Sequence, residues 1–256
     1  MTQYTLSLPA VDVLSQTLGV NVRRFPFEIP YFGEYERERR DIAREVFLDL
    51  NRKGLIQDGD VDPQLSRALR TLSEYVITVA VMGTVETTKK IYARAAAAGE
   101  TGVLAVKDGE SLRLELIRPT ALAVTLVGLL PPLESAPGQS VTITLPGADQ
   151  PDNENVLAPV YANRTANEQQ VRLAESYLNR PRTGTGLFTI SGRDRRTGRE
   201  RQAGHVTWID TDAGRYLTVV RPPDGSGQVR STFSPADPAR LTSQLAELIE
   251  SVAPRP

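Results

Sequence analysis

The chain has 256 residues, 40% hydrophobic and 24% charged, with a formal net charge of −1. Those proportions are ones of a folded globular protein, without a global bias toward nucleic acid or an anionic membrane. Zero cysteines exclude a disulfide framework, a thiolate nucleophile and a zinc–thiolate centre. No apolar run approaches the ~18 residues of a membrane span. The start, Met1-Thr-Gln-Tyr4, lacks the basic region of a secretory signal, so the expected compartment is the cytoplasm. Length alone allows one large domain or two small ones.

Residues 1–33 read as an extended start through Tyr4, Leu6 and Leu8, a short helix near Pro9 to Leu18, and an irregular Phe25 to Pro30 stretch. Glu36 to Lys53 is the first strong helix: Ile42, Ala43, Val46, Phe47 and Leu50 share one face, and Gly54 stops it. After a Gln57 to Asp60 turn, Asp62 is an N-cap ahead of Pro63, and Leu65, Ala68, Leu69 and Leu72 make a second apolar stripe. The short connection makes these an antiparallel or crossed helix pair.

From Tyr75 the pattern changes to strands. Val76 to Val81 is a strand with Gly83 to Thr88 as its loop, and Lys90 to Ala97 is a second strand or, given its alanines, a helix. Gly102 to Val106 and Ser111 to Ile117 pair across Lys107 to Glu110, whose Asp-Gly favours a two-residue hairpin turn. Arg118-Pro119 ends that strand, and Thr120 to Leu130 reads as a helix closed by Pro131-Pro132. Residues 131–160 are rich in Pro, Gly, Asp and Asn, a linker or long surface connection, with Val141 to Leu145 as a strand inside it. Asn167 to Asn179 reads as a helix, and Leu187 to Ser191 starts a second set of strands.

His205 to Ile209 and Tyr216 to Val220 are β-forming runs around a turn of Asp210, Thr211, Asp212, Ala213 and Gly214, a hairpin holding the chain's one Trp and one His. Asp212 is suited to cap the turn and Gly214 to a positive φ. Ser234 to Asp237 opens a last helix with capping-box chemistry, Asp237 ahead of Pro238 being an equally good N-cap, and Leu241, Leu245, Leu248, Ile249 and Val252 share one face. Both halves run strand, strand, tight turn, strand, Arg-Pro, helix. This order favours one pseudo-symmetric α+β protein with an antiparallel sheet flanked by helices.

Catalytic signatures are missing. His205 has no nucleophile-elbow serine beside it, and Asp210-x-Asp212 lacks the later ligands of a calcium loop. Gly184-Thr-Gly186 is too short for a dinucleotide fingerprint, so no catalytic, cofactor or metal residue is assigned. The loop Arg193 to Arg201 holds five arginines against two acids and suits either a solvated hairpin tip or a site for phosphate or an acidic partner. Residues 36–97 also fit a winged-helix DNA-binding regulator, but their helices carry nearly balanced charge, which releases few counterions from DNA.

Trp208 to Tyr216, preceded by the Gly184-Thr-Gly186 strand start and a basic loop, resembles the signature of the EspG family, cytosolic chaperones of actinobacterial type VII secretion. Glu36 to Arg39, Arg52 to Leu55, Val61 to Leu65, Gly102 to Gly109, Leu130 to Leu133 and Ser234 to Asp237 extend the resemblance in the family's order over nearly the whole chain. The resemblance implies a single domain over 1–256 with quasi-two-fold symmetry: a half to about 133, a linker over about 134–164, and a half from about 165. It implies a non-enzymatic chaperone that binds the tip of a PPE protein in a PE–PPE heterodimer, keeps that tip soluble and delivers the pair to the secretion machinery. No cofactor, nucleic acid or membrane partner is implied, and exposed edge strands leave room for a homodimer. By the same resemblance the partner-binding residues are Gly83, Thr84, Val85, Glu86, Thr87 and Thr88, with Leu241, Gln244, Leu245 and Leu248 from a C-terminal helical bundle that also takes in Asn167 to Leu178. For the leucines, core packing is the competing role.

Overall fold

The computed structural model describes residues 2–146, 172, 175, 177, 179–223 and 228–253. A first strand, β1 (Gln3–Ser7), runs directly into helix α1 (Leu8–Leu18). The Ser7 side chain accepts from the Ala10 amide at the helix start, and Gly19 closes the helix in the left-handed region at φ 64°. Helix α2 (Glu36–Arg52) leads through the short ribbon β2 (Ile56–Gln57) and β3 (Asp60–Val61) to α3 (Pro63–Ser73). Asp62 caps α3 as its sequence position requires, accepting from Gln64 and Leu65 amides at 3.0 and 2.8 Å. Its carboxylate also receives the Tyr4 hydroxyl at 2.7 Å, which ties the helix start to β1.

The long segment between α1 and α2 is held by one buried carboxylate. Asp12, on α1, has a fully buried side chain that accepts from Arg23, Arg39 and, at 3.2 Å, the Phe32 amide. Burial alone would raise its carboxyl, but the hydrogen bonds from Arg39, the Phe32 amide and Arg23 outweigh it and hold it below the usual carboxylate range.

Four strands follow as a meander: β4 (Ile77–Val85), β5 (Lys89–Ala98), β6 (Thr101–Asp108) and β7 (Ser111–Ile117). The alanine run is strand. Ala93 and Ala95 face the core of one side and Ala96 that of the other, so small side chains let helices sit close on both faces. The β6–β7 turn is Gly109-Glu110, one residue later than expected, because Asp108 still pairs with Ser111. A 3₁₀ turn (Pro119–Ala121) and a short helix, α4 (Leu122–Val127), replace the longer helix expected to Leu130.

Strand β8 (Val141–Pro146) then precedes a second meander: β9 (Arg182–Arg193), β10 (Glu200–Thr211), β11 (Gly214–Val220) and β12 (Gln228–Pro235), closed by helix α5 (Pro238–Val252). The helix expected over Asn167 to Asn179 lies mostly outside the described residues. Residues 134–146 are no free linker: Ala136 is buried and β8 pairs with β12.

Among the described residues, ten strands make one antiparallel sheet in the order β1-β7-β6-β5-β4-β9-β10-β11-β12-β8. The fold is α+β. Helices α1, α2 and α3 cover one face of β1, β7, β6 and β5, burying Leu14, Leu50, Leu65 and Leu69 against Ala105, Leu112 and Leu114. Helices α4 and α5 share the opposite face, over a core that runs across the sheet centre through Val81, Phe188, Val206, Trp208 and Leu217. Strands β4 and β5 are interior strands of that sheet, so residues 36–97 do not form a separate winged-helix unit.

The two meanders meet where β4 pairs with β9, Thr84 opposite Thr185 through Ile77 opposite Gly192. In this seam Gly83 faces Gly186, and Gly186 faces Trp208 on β10. The fully buried indole lies across both glycines: a Cβ on Gly83 would stand 2.6 Å from Trp208 Cη2, and one on Gly186 would overlap the ring. The Phe188 ring packs against the indole with centroids 5.0 Å apart. Gly186→Ala is therefore expected to cost about 3 kcal/mol in urea unfolding, and adding Trp208→Leu to recover part of it by vacating the ring's space. A loss under about 1 kcal/mol would show that the indole is not seated there.

Candidate functional site

The Gly83 to Thr88 residues fall at one end of the sheet, whereas Leu241, Gln244, Leu245 and Leu248 lie along α5, which crosses from that end toward the other. The expected loop over Gly83 to Thr88 is half strand. Gly83 pairs with Ile91, Thr84 with Lys90 and Val85 with Lys89, and Val85 is 1% exposed. Glycine normally weakens a strand; here it is needed because the indole occupies the space above it. A charge at Val85 would thus act on the core rather than on a surface.

The turn proper is Glu86, Thr87 and Thr88, all exposed, followed by exposed Lys89 and Lys90. Glu86 and Thr87 have φ of 49° and 70°, the left-handed region that a β-branched residue enters at a cost. The Thr87 amide donates to the Thr183 carbonyl at 2.7 Å and the Thr88 amide to Glu86 at 2.8 Å. The tip is therefore short, strained and anchored to the start of β9.

Helix α5 is capped by Asp237, whose Oδ1 accepts from the Arg240 amide at 2.7 Å, with Pro238 in its first turn. Leu241, Leu245 and Leu248, named for partner binding, are buried against the sheet with Val252. The core reading of this stripe is the one the fold adopts, since no other apolar face holds the helix to the strands. Gln244 is half-buried, and Ser243, Glu247 and Glu250 are exposed. Arg221 donates to Glu247 at 3.0 Å across the helix edge.

A buried ion pair builds this end of the sheet. Asp210 lies within β10, not in the turn, and is 1% exposed; Arg215 on β11 has no exposed surface. Arg215 Nε donates to Asp210 Oδ1 at 2.6 Å and Nη2 to Oδ2 at 3.0 Å, and Nη2 also reaches the Pro131 carbonyl at 3.0 Å. Its backbone amide donates to Glu134 at 3.0 Å, and its carbonyl accepts from Ala136 and Ala236 at 3.2 and 3.0 Å. The pair thus fixes both the chain leaving α4 and the chain entering α5. A Cβ on Gly184 would lie 3.2 Å from Asp210 Oδ2 and 3.3 Å from Val85 Cα, so the pair sits close behind the Glu86–Thr88 turn.

Asp210-x-Asp212 is accordingly not a paired-carboxylate site. Asp212 is at the surface, 3.8 Å from Arg180, and the turn is closed by Thr211 rather than Asp212: Thr211 Oγ1 accepts from the Ala213 amide and donates to the Gly214 carbonyl. Burial lowers the His205 imidazole below its ordinary value, favouring the neutral ring, and among the described residues no acid or nucleophile is bonded to it. Among the described residues no three His, Asp or Glu side chains gather as metal ligands, and no helix is long and apolar enough to cross a membrane.

Two features carried no sequence signal. The Asp12 clamp joins residues too far apart to form a motif, and the segment it holds leaves Phe25, Tyr31 and Tyr35 exposed at 49%, 77% and 68%. Arg23 covers one of these rings, 3.7 Å above the centroid of Tyr31.

A sequence model of the EspG family matches residues 7–247. No curated protein sequence is similar enough to add a relative at the level of sequence. Among solved structures, the fold is similar to that of the Mycobacterium tuberculosis type VII secretion system chaperone EspG5, solved in complex with a PE25-PPE41 dimer. The TM-score is 0.69 at 12% identity, over 99% of this chain and 97% of that one, a likeness of fold.

The strain in the turn is measurable. Thr87→Gly should leave unfolding free energy unchanged or raise it by up to about 1 kcal/mol, since glycine takes φ 70° without a Cβ clash. A destabilisation beyond that range in thermal or urea unfolding would contradict the left-handed turn.

Proposed function

The chain belongs to the EspG family, and on that premise we propose that it is a cytoplasmic, non-enzymatic secretion chaperone for a PE–PPE heterodimer. It binds the tip of the PPE subunit, shields that apolar tip from solvent and delivers the pair to a type VII secretion system. The observation that carries this reading is the pinned Glu86–Thr88 turn standing at one end of a sheet in a chain of this family. A rigid tip loses little entropy on docking, which suits a surface that must hold a client and then release it.

The client face is read as Glu86, Thr87 and Thr88, with Gly83, Thr84 and Gln244 at its margin. Val85, Leu241, Leu245 and Leu248 serve it from beneath as packing. Residues from about 165 belong to the same domain as residues 1–133, joined through about 134–164. Quasi-two-fold symmetry is part of this proposal. Its support is the strand order, in which β1 and β4 to β7 are mirrored by β8 and β9 to β12 about the β4–β9 seam.

Co-expression with the PE–PPE pairs of the same genome should yield a complex of one chaperone, one PE and one PPE by size exclusion with mass determination. Failure with every pair would end the proposal. Glu86→Arg combined with Thr88→Arg should weaken that complex at least about tenfold while stability stays within about 0.5 kcal/mol, because both side chains are exposed. An undiminished complex would move the client face elsewhere.

A further inference from the structure

The β9–β10 connection, Asp194 to Arg199, is a short loop built to hold its shape. Asp194 Oδ1 accepts from the Arg196 amide at 3.0 Å and from the amide and hydroxyl of Thr197 at 2.7 and 2.9 Å. The Asp194 amide donates to the Arg199 carbonyl at 3.0 Å, and Gly198 takes φ 69° to close the loop, its amide reaching the Asp194 carbonyl at 2.9 Å. The first of these bonds hold the Asp194 carboxyl below its ordinary range. The loop's own acid is thereby used mainly to shape it, the Arg196 charge adding the smallest contribution.

What this frame presents is positive. Arg195, Arg196 and Arg199 are exposed, and among the described residues none of them has a carboxylate within ion-pair distance. Glu100, in the neighbouring β5–β6 turn, forms no ion pair with them. Glu200, the acid at the loop base, accepts the Tyr75 hydroxyl at 3.0 Å. Around that tyrosine stand three more guanidiniums, Arg24, Arg94 and Arg193, with carbons 5.4, 4.9 and 4.7 Å from the ring centroid. The root of the loop therefore adds to its positive field. Arg94 also donates to the Phe25 carbonyl at 2.6 Å, which ties the backbone of the exposed Phe25 to this root.

We propose that the Asp194–Arg199 loop is a docking site for a short acidic segment of another protein, its carboxylates taken by Arg195, Arg196 and Arg199 and an apolar side chain of the segment resting near Phe25. Guanidinium forks match carboxylates two bonds at a time, and an ordered loop presents them at little entropic cost. The three arginines are a local excess of positive charge on a chain whose formal net charge is −1.

The site is also remote from the proposed client turn. Strand β9 is 12 residues long, with that turn bonded at its start and the arginine loop at its end, so the two are separated by roughly 35–40 Å. Both could be occupied at once. The inference goes beyond the client-binding reading and stands without it.

The test titrates a short fluorescein-labelled peptide of glutamates around one phenylalanine, by anisotropy at about 50 mM salt. A peptide with glutamines in place of the glutamates, a single-stranded oligonucleotide of equal length, and sedimentation of the protein alone complete the set. Wild type should bind the glutamate peptide, and Arg195→Glu/Arg196→Glu/Arg199→Glu should bind it at least about tenfold more weakly with unchanged melting temperature. Equal binding by the variant, equal binding of the glutamine peptide, or no binding would overturn the proposal. So would tighter binding of the oligonucleotide, which assigns the loop to nucleic acid, or self-association lost in the variant, which assigns it to a second copy. Complex formation with PE–PPE by the same variant should be unchanged, which separates this outcome from a failure of the client-binding reading.

Discussion

The two meanders join along the β4–β9 ladder, and the side chain that seals that join is Trp208, whose indole covers Gly83 and Gly186. A strand pair at the middle of a wide sheet is usually held by facing side chains. Here one pair of facing positions, Gly83 and Gly186, is glycine on both strands, and the side chain that covers it comes from the next strand over. The indole therefore bridges β4, β9 and β10 at once, and α4 and α5 close over the same apolar layer. The length of β4, the position of its terminal turn and the seat of α5 all follow from that layer.

Polar groups then fix what the apolar layer cannot. The Asp210–Arg215 pair is the strongest case, a buried bidentate contact whose backbone also holds the chain on either side. Removing one partner of such a pair leaves an uncompensated charge and costs about 3–5 kcal/mol. Asp12 performs the same task in the first half, where the segment between α1 and α2 has little regular structure of its own. In both halves a carboxylate with arginine donors positions an irregular connection against a regular one. The outcome is a sheet whose irregular connections are pinned by buried carboxylates in both halves.

Much of this was legible in sequence, for local reasons. Asp62 before Pro63, Asp237 before Pro238 and Gly54 mark helix ends because caps depend on neighbouring residues alone. The β6–β7 turn was legible within a residue, since Gly109 announces it; the β10–β11 turn was located but read too wide, because Asp210 and Thr211 still belong to β10. What failed was non-local. Gly83 reads as a strand breaker until the Trp208 ring, 125 positions later, is known to need its space. Asp210 reads as a turn residue until Arg215 is placed beside it inside the core. For Leu241, Leu245 and Leu248 the pattern shows an apolar face but not which surface that face meets; the sheet takes it. The resemblance to the EspG family agreed with the α+β sheet that the order of elements already favoured, and the match over residues 7–247 bears out the family.

The functional account is one of placement: a strained, anchored turn at one end of the sheet for the client, and the opposite end left for other contacts. Hydrogen–deuterium exchange of the free protein and of its PE–PPE complex tests that placement most directly, because it reads every backbone segment together. The account predicts new protection at Thr84 to Lys90 and on the outward side of α5 around Gln244, with the Asp194–Arg199 loop unchanged. Protection gained at the Phe25 to Tyr35 segment or at the arginine loop, with the Glu86–Thr88 turn unaffected, would contradict it.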